Sequence, residues 1–204
     1  MMDIFTENNE DFTASPLYGS ALIERFCKNE KVFIAGCIGE RKDLDIVSCA
    51  VNANKDQKCI LVPSEISEES LNKIMASVES RSLLFSECTP ETDFADVQVL
   101  IIDFLGSIPM IYRYCKYAYI GIGITRNVDN IKDVTAYGIP IAFRSKIYRK
   151  DQHAGIINLK IGTIVRNGKN LDAWLKSLKY DEGAWADIHY TALNYAKDYN
   201  GAAD

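Results

Sequence analysis

The stretch VQVLIIDFLGSIPMIYRYCKYAYIGIGI (97–124), continued after a short loop by DNIKDVTAYGIPIAF (129–143), decides how this chain folds. VQVLII (97–102) is an unbroken apolar run of strand length, followed by Asp103 and Gly106. Unbroken runs suit strands buried on both faces, whereas a sheet with one wet face alternates apolar and polar residues. SIPMIYRYC (107–115) reads as a helix, since Pro109 is tolerated in a first turn. YAYIGIGI (117–124) is the next strand and runs into a glycine loop. DNIKDVTAYG (129–138) is a helix closed by Gly138, and PIAF (140–143) is the strand after it. Alternating buried strands and amphipathic helices predict βαβ units, hence an α/β fold with a Rossmann-like, doubly wound parallel sheet.

The same alternation extends outward. Upstream, KVFIAG (31–36) and KCILVP (58–63) read as strands around a helix at DLDIVSCAVNA (43–53), and SLLF (82–85) as a weaker strand. Ser67 is placed to cap a helix whose inner face carries Leu71, Ile74, Met75 and Val78. Downstream, GTIVR (162–166) is a late strand, LDAWLKSL (171–178) a helix, and 182–199 a long helix capped by Asn200-Gly201. Residues 1–18 read as a polar leader with a Ser15-Pro16 break, and 19–204 as one domain opened by a short amphipathic helix, GSALIERFCK (19–28).

Composition narrows the function. A net charge of -5 over 204 residues argues against a general nucleic-acid binder. Six scattered cysteines, no C-x-x-C and two histidines form neither a zinc framework nor a disulfide scaffold. They are expected to be reduced thiols of a cytoplasmic protein. No run approaches the roughly 18 apolar residues of a membrane span, so any membrane contact is expected to be peripheral.

In such sheets ligands bind at the carboxyl ends of the strands, near the point where strand order reverses. The loop GIGITRNVDN (121–130) therefore stands out. Gly121 and Gly123 permit close backbone approach, and the helix after them offers N–H groups to a phosphate. With Arg126 at the third glycine position, it is neither a dinucleotide fingerprint nor a Walker loop. A glycine turn needed only for packing explains it equally well. Asp129, Asn130 and Asp133 read either as caps of the helix or as partners for ribose hydroxyls. Arg144, Lys146, Arg149 and Lys150 concentrate charge after a strand end, either as an anion site or as a solvated loop. His189 reads as a packing or surface residue and His153 as the better ligand-facing candidate. No metal set, nucleophile–base pair or acid–base pair emerges. The chain displays a binding site more clearly than a catalytic one.

These residues carry a resemblance. Asp103, Gly106, Tyr112, Tyr114, Tyr119, Gly121, Gly123, Asn130, Tyr137, Gly138 and Pro140 fall, in order and without gaps, on a pattern of the 3-deoxy-D-manno-octulosonic acid (Kdo) transferases. The pattern is Asp-x-x-Gly, Leu-Tyr, Ala-Tyr-Ile-Gly-Gly-Gly, His-Asn-x-x-Glu and Tyr-Gly-x-Pro. VFIAG (32–36) and VPSEI (62–66) resemble two further elements, and the likeness, Bacteroidetes-like in character, spans about residues 20–202. It implies one half of a GT-B glycosyltransferase, the carboxy-terminal domain that binds the donor CMP-Kdo in lipopolysaccharide biosynthesis. The catalytic carboxylate and acceptor surface would belong to an amino-terminal domain, with no metal or cofactor at the centre and no transfer by this chain alone. The resemblance places the donor at Gly106, Gly121, Gly123, Asp129, Asn130, Asp133, Ser64 and Arg144.

The departures fall on that same side. Asp129 stands where the family has histidine, Asp133 where it has glutamate, and Ser64 where it has histidine. Arg144-Ser145 replaces Gly-Pro, Ile122 replaces the middle glycine, and Cys37-Ile38-Gly39-Glu40 replaces Ser-Thr-Trp-Pro. Two further readings stay open: a non-catalytic module whose site has drifted to another ligand or a partner surface, and an unrelated Rossmann-type nucleotide enzyme. The face that would meet an amino-terminal domain is expected to be covered by it, by self-association or by the folded-back leader.

Overall fold

The apolar runs become the strands of one sheet in a computed structural model that describes residues 16–28, 30–104, 111–121, 129–145 and 150–201. The strands are β1 (Val32–Ile38), β2 (Cys59–Pro63), β3 (Ser82–Leu84), β4 (Val99–Ile101), β5 (Cys115–Ile120), β6 (Ile141–Arg144) and β7 (Gly162–Val165). They lie in the order β3-β4-β2-β1-β5-β6-β7, and neighbouring pairs run parallel. Parallel neighbours need long crossovers, which helices supply. The helices are α1 (Pro16–Cys27), α2 (Arg41–Ala53), α3 (Glu68–Ser77), α4 (Asp129–Ala136), α5 (Lys150–Asn158), α6 (Gly168–Lys179) and α7 (Glu182–Gly201).

Both faces of the sheet are covered because β1 is apolar at every position. Val32 and Ile34 enter one core with Leu22 and Phe26 of α1, Val134 of α4 and Ile156 of α5. Phe33 and Ala35 enter the opposite core with Val47 and Ala50 of α2, Ile74 of α3 and Leu175 of α6. Each fully buried large side chain contributes about 1.5–3 kcal/mol of transfer free energy, so the paired cores dominate the fold. Local signals agree with this packing. Ser67 accepts from the Ser70 amide at 3.2 Å and starts α3. Gly138 ends α4 at φ +68, where a Cβ would also lie 2.4 Å from the His189 ring. His189 itself stacks on Trp185 and holds the Gly138 carbonyl through Nδ1 at 2.8 Å, a packing role.

The structure corrects several details. Of SIPMIYRYC, residues 107–110 lie outside the described set, Tyr112–Tyr114 form a 3-10 turn, and Cys115 opens β5 by pairing with Val32. The strand expected over 97–102 is only Val99–Ile101, although the backbones of Gln98 and Ile102 still bond to the neighbouring segments, and the Gln98 side-chain amide donates to the Val51, Asn54 and Gln57 carbonyls. The strand expected at 140–143 starts one residue later and ends on Arg144. Helix α7 continues through Asn200 and Gly201, so that pair does not cap it.

None of the six cysteines is in a disulfide, and burial raises four of the thiols above their ordinary value. Burial pushes the thiol of Cys27 up to about 12 and that of Cys88 to about 11, and the Tyr117 hydroxyl to about 12. Cys59 and Cys115 are raised further by the same cause. A raised folded-state value means the unfolded chain releases these protons first. The stability they add is complete below about pH 9 and is lost progressively toward about pH 12. Urea melts at about pH 8 and about pH 10.5 should show a lower midpoint at the higher pH with an unchanged slope. Equal midpoints would contradict this.

Candidate functional site at the reversal of strand order

Strand order reverses at β1. The chain leaves β1 toward β2 on one side and returns to β5 on the other, and it is at the carboxyl ends beside such a point that open parallel sheets place their ligand crevice. Two backbone features shape it. Cys37 adopts φ +57, and the β1–β2 register shifts between Ala35 and Ile38, so β1 twists at its last residues. Gly121 then packs against this twist, its amide donating to the Gly36 carbonyl at 2.8 Å. A Cβ on Gly121 would lie 2.4 Å from the Cys37 carbonyl oxygen, so no side chain fits there.

Beside Gly121 lies a network of charged and polar groups. Asp43, in the first turn of α2, is fully buried. It accepts a hydrogen bond from the Tyr119 hydroxyl at 2.7 Å. Arg144, at the end of β6 and 6% exposed, sets Nε 2.8 Å from Asp43 Oδ1 and Nη2 3.4 Å from Oδ2. The same Nη2 donates to Glu40 Oε2 at 2.6 Å. Three separate elements, α2, β5 and β6, thus meet through the carboxylate of Asp43. Burial alone disfavours the Arg144 charge, but the Glu40 hydrogen bond and the Asp43 charge reverse that and hold it above its ordinary value. Tyr119 is raised by burial, and then by the charge of Asp43 and its hydrogen bond. It stays a neutral donor.

Among the residues expected at the donor site, Ser64, Gly121 and Arg144 lie at the carboxyl ends of β2, β5 and β6. The Ser64 amide donates to the Ile38 carbonyl at 3.0 Å, placing it beside the end of β1. Asp129, Asn130 and Asp133 belong to the beginning of α4, with their side chains outside the described set. Gly106 and Gly123 lie outside the described residues, as do Arg126, Lys146 and Arg149, and so does the side chain of His153. Arg144 is not a loop cation: it is buried and already ion-paired. Asp103 turns toward the 3-10 turn after β3 (Phe85–Glu87), accepting from the Ser86 amide at 2.9 Å and from its hydroxyl.

Sequence reading missed Glu40, Asp43 and Tyr119 as site residues. Asp43 carried a signal, since it falls on the same helical face as Ile46, Val47 and Ala50, all buried. An acidic side chain on an apolar stripe needs a buried partner.

No protein-family model matches the sequence, and no curated protein matches it. Solved structures do match. The C-terminal CMP-Kdo-binding domain of WaaA from Acinetobacter baumannii superposes with a TM-score of 0.65 at 16% identity, over 85% of this chain and 96% of that one. The C-terminal domain of the group 1 glycosyltransferase LpcC from Francisella tularensis gives 0.56 at 12% identity, over 86% and 90%. Anabaena HepE, solved with UDP-glucose, gives 0.55 at 14% identity, over 90% of this chain and 49% of that one. The chain therefore has the fold of a Rossmann-like half of a GT-B glycosyltransferase, the half that in WaaA binds CMP-Kdo.

Proposed function

We propose that this chain binds the nucleotide-sugar donor of a two-domain glycosyltransferase, with CMP-Kdo the first candidate. The observation that supports this reading is the strand order, which reverses at β1 and so sets the carboxyl ends of β1 and β5 where open parallel sheets take their ligands. Ser64 and the start of α4, with Asp129, Asn130 and Asp133, border the donor's path in this reading. The amide groups of that first turn receive a phosphate. Gly106 and Gly123 are proposed to line the same loops. Catalysis would need the amino-terminal domain, so transfer by this chain alone is not expected. No helix among the described residues is long and apolar enough to cross a membrane. Work on a lipid acceptor would then take place at the cytoplasmic membrane face through the partner domain.

One observation favours a second reading, a diverged module with another ligand. Arg144, where the family has Gly-Pro, spends its charge on Glu40 and Asp43. Calorimetry with CMP, CMP-Kdo and UDP-glucose separates the two. Donor binding predicts a Kd for CMP and CMP-Kdo below about 1 mM, with UDP-glucose weaker. Silence from both cytidine ligands at millimolar concentration sinks the first reading and leaves the second.

A further inference from the structure

Rossmann-type sheets receive a ligand phosphate at the helix after their first strand, where free amides and the helix dipole favour negative charge. In this chain that helix is α2, and one of the chain's own carboxylates is already there. Asp43 lies in the first turn of α2 and is fully buried. Its oxygens face the Tyr119 hydroxyl at 2.7 Å and Arg144 Nε and Nη2 at 2.8 and 3.4 Å. A helix start, a hydroxyl and a guanidinium around one carboxylate make the donor set of an oxyanion site. The approach from the sheet is closed as well. A Cβ on Gly121 would lie 3.3 Å from Asp43 Cγ and 2.4 Å from the Cys37 oxygen. Glu40, at the N-cap, brings a second carboxylate, bonded to Arg144 Nη2 at 2.6 Å. Glu40 and Arg144 are two of the departures from the Kdo transferase pattern, 104 residues apart, and here they bond to each other.

We propose that the chain closes its first strand–helix turn with its own carboxylates: Asp43 fills the oxyanion place at the start of α2, Glu40 puts negative charge at its rim, and no ligand phosphate is received there. The closure stands on these contacts, and its consequence for the ligand rests on the donor-binding reading above. The donor's anionic group is then left to the start of α4. A donor linked through a single phosphate, such as a CMP-sugar, needs one such helix start. A nucleoside diphosphate brings a second phosphate toward the carboxylates, where like charges repel.

Asp43→Ala removes the carboxylate and leaves a space the size of formate beside Tyr119 and Arg144. Its melting temperature is expected to fall by about 6–20 °C, the range for stranding one partner of a buried pair in a chain of this size. Sodium formate is present during refolding, so that it need not enter a closed protein. At about ten times its Kd it is expected to restore about 3–6 °C, whereas sodium chloride at equal ionic strength restores none. Asp43→Asn, whose amide fills the same space, should gain nothing from formate. Calorimetry of the original chain then compares CMP with CDP, which share base and ribose, and CDP is expected to bind no more tightly. No formate effect, an equal effect of chloride, or an equal gain in Asp43→Asn overturns the closure. So does an Asp43→Ala chain that folds in neither salt. CDP binding tighter than CMP overturns it too, since a second phosphate would then be welcome beside the first. A formate effect with neither nucleotide bound supports the closure and removes the donor reading.

Discussion

Arg144→Met is expected to destabilise the fold by about 3–5 kcal/mol, because it leaves a buried carboxylate without its countercharge. The side chain of Asp43 has no exposure to water, and its other described partner is the neutral Tyr119 hydroxyl. A hydrogen bond from a neutral hydroxyl does not replace a guanidinium. The loss is measured by urea denaturation near neutral pH, and Arg144→Lys, which retains the charge, is expected to cost less than half as much. Asp43→Asn combined with Arg144→Met tests the cause: removing the stranded charge should recover part of the stability. A double variant no more stable than Arg144→Met would show instead that packing around the guanidinium stem carries the effect.

Gly121→Ala is expected to cost about 3 kcal/mol, the upper part of the range for forcing a methyl group into closed space. The obstacle is backbone: the new Cβ would sit 2.4 Å from the Cys37 oxygen and 3.0 Å from its carbonyl carbon. Cys37 is already held at φ +57, so it has little freedom to retreat. The Gly121-to-Gly36 hydrogen bond should open, and with it the geometry of the crevice. Gly36→Ala is the internal comparison, since its Cβ would meet only the Tyr112 hydroxyl at 3.2 Å. Hydrogen exchange at the Gly121 amide, together with the denaturation midpoint, reads the difference. Equal costs for the two variants would argue against a special role for the β1–β5 junction.

Much of the architecture was legible because its signals are local. The runs 31–36 and 58–63 are too apolar and too short for anything but buried strands, and Ser67 and Gly138 mark their helix ends by side-chain and backbone chemistry. The misreadings arose where tertiary contacts overrule periodicity. The Gln98 side chain serves three carbonyls at the end of α2 and in the connection after it, and those carbonyls lie 41 or more residues away in sequence. Cys115 pairs with Val32, a partner that no window around 107–115 contains. The site suffered most from this. Gly121 and Arg144 were visible as types, a glycine and a cation after strands. What Arg144 faces depends on Glu40 and Asp43, 104 and 101 residues away in sequence. Only the sheet order brings them together.

That order has a consequence for how the chain is made. β1 sits mid-sheet, flanked by β2 and by β5, so one of its two hydrogen-bonding edges waits for residues 115–120. During synthesis β1, β2, β3 and β4 can assemble first, with the apolar edge of β1 unmatched. At ordinary ribosomal speed the gap between the completion of Pro63 and that of Ile120 lasts on the order of several seconds. An unpaired, apolar strand edge is what attracts other nascent chains. A ribosome stalled between β4 and β5 therefore displays this protein at its most adhesive, and truncation products ending there should be found in aggregates or held by chaperones.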